Sequence, residues 1–100
     1  MATGKRKFSQ PSSVREFMTG SVTVGSTSSN HLGTAFLESG VRIKADAANA
    51  EAIYIGPSPV GATNGFKLSA NEEVFIDIDA IDKVFVMSTG GGETLSFIAS

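Results

Sequence analysis

Apolar and polar residues alternate in short runs along most of this chain, and turn-forming residues cut each run before it reaches helix length. Val41-Arg42-Ile43-Lys44-Ala45 sends Val41, Ile43 and Ala45 one way and Arg42 and Lys44 the other, the period of two that a half-buried strand requires. Phe17–Val24 alternates similarly, with Val22 and Val24 on one face, and His31–Leu37 is a weaker strand. Ala52–Gly56, Phe66–Leu68, Val74–Asp79, Lys83–Ser88 and Glu93–Ala99 continue the pattern. Their inward set is Ile53, Ile55, Val74, Ile76, Ile78, Val84, Val86, Leu95 and Phe97. Gly25–Asn30, Glu38-Ser39-Gly40, the Pro- and Gly-containing stretch 56–65 and Ser69-Ala70-Asn71 are loops by composition. Asn64-Gly65 is a tight-turn dipeptide, and Gly90-Gly91-Gly92 reads as a hairpin tip. Asp46–Glu51 has helix-forming Ala and Glu but is too short for a stable helix, so it reads as a loop with at most one helical turn. About eight short strands at close spacing predict an all-β fold. The expectation is a small antiparallel β-sandwich, jelly-roll-like, with a small open barrel as the alternative.

Residues 1–16 do not share this pattern. They are polar and basic, with Pro11 and several serines, and predict an extended N-terminal arm ahead of a β-sandwich domain over 17–100. A short helix around Ser13–Met18 competes, because Glu16 follows Ser13 by three residues as in a capping box. No apolar stretch follows the basic start as in a secretory signal, and none approaches the length that spans a bilayer. A soluble protein made in a cytoplasm is expected.

Charge sharpens the division. The net charge of −2 hides an arm carrying Lys5, Arg6, Lys7 and Arg15 with no acid before Glu16. The remainder carries four bases against ten acids. A basic arm on an acidic body predicts docking on a negative partner, with Phe8 and Phe17 as apolar anchors. A solvated tail is the alternative for Lys5-Arg6-Lys7, and nucleic acid is a weakly signalled target, because three adjacent bases lack aromatic interleaving.

Little of the chain suggests catalysis. The absence of cysteine excludes thiolate zinc sites, disulfides and thiol nucleophiles. One histidine, His31, cannot build a His-rich metal site, no serine sits in a Gly-x-Ser-x-Gly setting, and His31 is expected in a loop or at a strand edge. Asp77 and Asp79 share a strand face, with Asp82 in the next turn. Oxygen ligation of calcium and a solvated outer face both fit these carboxylates; without an Asp-x-Asp-x-Asp-Gly loop the solvated face is favoured. Gly90-Gly91-Gly92 lacks the Lys-Ser/Thr ending of a phosphate loop. No metal, cofactor or enzymatic activity is expected. Tyr54, Phe75, Phe85 and Met87 lie opposite the aliphatic set and predict an apolar oligomer interface, unless their strands are buried on both faces.

The succession Ala52-Ile53-Tyr54-Ile55-Gly56, Val60, Gly65-Phe66-Lys67-Leu68, Glu72-Glu73-Val74, Val84-Phe85-Val86-Met87 and Leu95-Ser96-Phe97-Ile98 resembles small virion proteins of tailed bacteriophages. The resemblance covers about residues 41–100, and its motifs are compositional. Ala70-Asn71 stands where that group commonly has Pro-Gly, a turn that Asn still permits. The resemblance implies a capsid decoration (cement) protein, with a phage neck or tail component as its main rival. It implies a homo-oligomer, most often a trimer, assembled in the host cytoplasm and resident in the virion. It also implies that Lys5, Arg6, Lys7, Phe8, Arg15 and Phe17 meet the major capsid protein rather than packaged DNA. A small ligand-binding β-sandwich module is the remaining alternative, although the chain has no Trp for a sugar platform.

Overall fold

The computed structural model describes residues 17–26 and 30–100. The arm residues Lys5, Arg6, Lys7, Phe8 and Arg15 lie outside the described residues, as does most of the alternative helix at Ser13–Met18. The strands are β1 (Met18–Val24), β2 (Asn30–His31), β3 (Val41–Ala45), β4 (Ile53–Gly56), β5 (Phe66–Leu68), β6 (Glu73–Ile76), β7 (Phe85–Ser88) and β8 (Glu93–Ala99). One 3₁₀ turn, Ile81–Lys83, separates β6 from β7. The all-β sandwich expected from the alternation is what forms.

Two four-stranded antiparallel sheets stack, in the orders β1-β8-β3-β6 and β2-β7-β4-β5. The pairs β1–β8, β2–β7, β3–β6 and β4–β5 are those of one long hairpin rolled over on itself. The further pairs β3–β8 and β4–β7 join the strands within each sheet. Register fixes which side chains share a row. On the inner face of the first sheet, Met18, Ala99, Val41 and Ile76 align, and Gly20, Phe97, Ile43 and Val74 form the next row. The second sheet opposes these with Ile53, Ile55, Leu68 and Val86. Val41, Ile43, Ala45, Ile53, Ile81, Val86 and Leu95 are wholly excluded from water. At about 25 cal/mol per Å² of apolar surface removed from water, this shared layer is the main stabilising term.

Several expected elements differ: β6 ends at Ile76, so Asp77 and Asp79 lie beyond the strand rather than sharing its face, and Lys83 closes the 3₁₀ turn instead of opening β7. Of the stretch His31–Leu37, only His31 is in a regular strand, and Phe36 makes one isolated bridge to Ala80. Leu32 and Leu37 are both buried although five residues apart, an odd spacing that a period-two strand cannot send to one face. Gly90-Gly91-Gly92 is not a hairpin tip: β7 and β8 lie in different sheets, so the triplet carries the chain across the sandwich. Gly91 and Gly92 take positive φ angles of 71° and 84°, which favour glycine. The Gly91 amide donates to Ser88 Oγ at 3.0 Å and the Gly92 amide to the Val24 carbonyl at 2.8 Å.

Close approach explains two other glycines. A Cβ at Gly20 would lie 2.6 Å from the Phe97 ring, so Gly20 leaves the space that this aromatic fills. Gly40 has φ of 132°, and a Cβ there would overlap the Ile76 carbonyl oxygen. The turn also holds the last residue: the Glu38, Ser39 and Gly40 amides donate to the Ser100 main-chain oxygen, and the Ser100 amide donates to Gly40. Gly40→Ala combines a disfavoured φ with a backbone clash, so it is expected to cost about 2–4 kcal/mol. The check is the urea unfolding midpoint; a midpoint equal to wild type contradicts the assignment.

Candidate docking surfaces

The outer face of the first sheet is built from the odd positions of β1, the even positions of β3 and β8, and Glu73 and Phe75 of β6. Pairing sets Thr19, Ile98, Arg42 and Phe75 side by side in one row, and Ser21, Ser96, Lys44 and Glu73 in the next. The Arg42 guanidinium carbon lies 5.6 Å from the Phe75 ring centroid, and its Nη1 is 3.5 Å from Glu73 Oε1. Both charged side chains are about half exposed, so water screens the ion pair and it contributes little to stability. The cation–π contact places the Arg42 guanidinium over an aromatic that is itself 48% exposed. A shallow depression of about 570 Å³ runs over this face, lined by Thr19, Ser21, Arg42, Lys44, Ser96 and Ile98 among others.

The outer face of the second sheet carries Tyr54, flanked by Met87 on β7 and Lys67 on β5. His31 pairs with Phe85, and their rings meet edge to face with centroids 5.8 Å apart. His31 therefore occupies an edge strand, as expected. Tyr54 and Phe85 are half-buried, whereas Met87 is only 9% exposed.

These placements correct the single apolar surface expected of Tyr54, Phe75, Phe85 and Met87. Alternation sends each residue outward from its own strand, but β6 and β7 belong to different sheets. Outward from the first sheet and outward from the second are opposite directions across the sandwich. Phe75 is thus separated from the other three, and Met87 is buried rather than available. Phe17 is 65% exposed where the chain enters β1. Phe36, Phe66 and Ile98 are also exposed. Ile98 was legible as the outward neighbour of Phe97, but Phe36 and Phe66 depend on tertiary position. Phe66 pairs with Ile55 on the core side, yet it sits on an edge strand that leaves its ring uncovered.

Between the sheets, Ile55, Gly56, Pro57, Ile76, Ile78 and Val84 line an apolar cleft of about 300 Å³, and Lys83 also borders it. Lys83 Nζ donates to Asp79 Oδ1 at 2.8 Å. This hydrogen bond, with the attraction between the two charges, lowers the Asp79 carboxyl below its ordinary range and raises the Lys83 ammonium above its own. The contribution of Asp79 to stability is present above the ordinary aspartate range and lost as pH falls through its lowered value. That of Lys83 is lost as pH rises through its raised value. Asp77, Asp79 and Asp82 do not converge: among the described residues, no group of three or more His, Asp or Glu side chains is placed to hold a metal ion.

One buried polar pair stands at the corner between the sheets. Ser88 is fully buried and donates to the nearly buried Glu93 carboxylate at 2.7 Å, while its oxygen accepts from Gly91. Both residues look inward, so the pair anchors the glycine crossover rather than facing a ligand. The adjoining loop is tied in by Asn49, whose side chain donates to the Thr94 carbonyl and accepts from the Thr94 amide.

Truncation separates the buried residue from the exposed one. Met87→Ala is expected to cost about 2–5 kcal/mol, and Phe75→Ala less than about 1 kcal/mol. Chemical denaturation of both variants reads the difference, and equal losses contradict the assignment. Asp79→Asn is expected to leave the melting temperature at neutral pH unchanged, because the pair is solvent-exposed. A large loss contradicts that reading of the Asp79–Lys83 bridge.

No protein-family profile, curated protein or solved structure matches this chain.

Proposed function

We propose that this chain is a non-enzymatic virion structural protein, a capsid decoration protein that docks on a shell and stabilises it. The observation that carries the reading is the strand connectivity. The pairs β1–β8, β2–β7, β3–β6 and β4–β5, with two interleaved four-stranded sheets, support a jelly-roll reading of the sandwich. Viral capsid domains use that architecture, as do lectins and cupins. A fold alone does not fix a role, so the proposal also draws on the residues. A sandwich with open outer faces offers area for adhesion. The basic segment bearing Lys5, Arg6, Lys7 and Arg15 precedes it, joined through the exposed Phe17. Such a segment gains contact area by ordering on an acidic surface, at an entropic cost.

In this reading the major capsid protein is the partner, the protein works as a homo-oligomer, and neither membrane nor nucleic acid takes part. Assembly takes place in the host cytoplasm. A neck or tail position uses the same features on a different partner. A small ligand-binding module is the second reading, supported by the depression bordered by Arg42, Lys44, Ser21 and Ser96.

Co-sedimentation with purified shells stripped of accessory proteins tests the proposal. The full chain is expected to pellet with the shells. A variant beginning at Phe17 is expected to stay in the supernatant while keeping the β-type circular dichroism of the full chain. Undiminished pelleting of the folded truncated variant contradicts the role of the arm, and failure of the full chain to bind contradicts the shell as partner.

A further inference from the structure

Strand β1 ends the first sheet, with β8 on one side and no described strand on the other. Among the described residues it is also the longest edge strand. Its residues Met18–Val24 pair with β8 at seven consecutive positions without a bulge, whereas the edge strand β2 has two residues and β5 has three. An edge strand exposes unpaired N–H and C=O groups, and proteins usually blunt it with charges, proline, bulges or brevity. The sequence Met-Thr-Gly-Ser-Val-Thr-Val has no charge and no proline. The short edges β2 and β5 are protected by brevity, and β6 carries Glu73.

The unpaired groups define the chemistry of the occupant as an extended strand, and the side chains narrow it further. Met18, Gly20 and Val22 face the core side but remain half-buried at the sheet margin, whereas Thr19, Ser21 and Thr23 face outward and are exposed. A fitting strand alternates apolar and neutral polar residues in antiparallel register. β1 satisfies this requirement against itself. Centred on Ser21, two copies place Met18 opposite Val24, Thr19 opposite Thr23, Gly20 opposite Val22 and Ser21 opposite Ser21. Apolar or glycine positions then meet their own kind, hydroxyls meet hydroxyls, and no charge is buried.

We propose that β1 is a self-association edge, on which β1 of a second copy pairs antiparallel across a two-fold axis at Ser21. The two first sheets become one continuous eight-stranded sheet, and the inner layers of the two sandwiches run on across the axis. Such an isologous contact closes on itself and leaves no further β1 edge for fibre growth. The inference is independent of the capsid reading, since it concerns how copies of the chain meet and not what they dock on. The three-fold association implied by the sequence resemblance is a different arrangement.

Cysteine scanning tests it directly, because the chain has no native cysteine. Directly opposed residues of an antiparallel pair have Cα atoms about 4.5–5.5 Å apart, within disulfide reach. The full-length Ser21→Cys variant is expected to form a covalent dimer on mild oxidation. In the same register, Thr23 and its copy are offset by four residues, roughly 13 Å, and Thr23→Cys is expected to stay monomeric on a non-reducing gel. Absence of the Ser21→Cys dimer, or equal cross-linking at both positions, overturns the proposal. A second arm needs no oxidation. Ser21→Lys places like charges on the axis and is expected to weaken the dimer by about fivefold in sedimentation velocity. Mixing Ser21→Lys with Ser21→Glu is expected to restore association. Dimerisation unchanged by Ser21→Lys, a trimer, or no recovery in the mixture overturns it.

Discussion

Backbone pairing between the two ends of the described chain is the constraint on which the rest depends. Met18 pairs with Ala99 and Val24 with Glu93, so β1 and β8 lie side by side along their whole length. β8 in turn pairs with β3 and so joins the early strands to the middle of the chain. Once this ladder is set, β2 can meet β7, β3 can meet β6, and the β4–β5 hairpin closes the roll. Every core row of the first sheet crosses β8. The hydrophobic layer is therefore a consequence of the ladder's register: a slip by one residue would turn Leu95 and Phe97 outward and bring Thr94, Ser96 and Ile98 in. Most of these pairings are distant in sequence, which predicts slow folding relative to helical proteins of this size.

Local alternation made much of this legible. Val41-Arg42-Ile43-Lys44-Ala45 announces its inner and outer faces because each side is chemically uniform, and the structure places all five accordingly. Leu95 and Phe97 are inward for the same reason. What remained hidden is what one strand owes to another. Nothing within Val84-Phe85-Val86-Met87 says that the outer face of β7 is covered enough to bury Met87. Nothing in the glycine triplet distinguishes a hairpin from a crossing between sheets, because both need positive φ. The separation of Phe75 from Tyr54, Phe85 and Met87 likewise depends on sheet membership, which alternation does not encode. Stacking of Arg42 on Phe75 required knowing that β3 and β6 pair in that register.

The surface chemistry follows from this architecture. Each sheet turns one face inward, and the outer faces carry hydroxyls, scattered charges and isolated aromatics rather than a deep converging pocket. The depression of about 570 Å³ is shallow and lies over the outer side of the first sheet, while the apolar cleft opens between the end of β4 and the segment that follows β6. Two features meet at the start of the sandwich: the basic segment preceding β1 and the uncharged, uninterrupted edge of β1 itself. They adjoin in sequence at Phe17 and Met18, so pairing through β1 would bring two basic segments into one assembly, which in the proposed docking role would make attachment to a repeating surface bivalent.

The most direct test of this account is the mass of the full-length protein in solution, followed by light scattering over a range of concentrations. The account predicts a reversible rise from the 10.4 kDa chain to twice that mass, with no larger species at saturation. A mass that stays at one chain throughout, or a plateau at three chains, would contradict it.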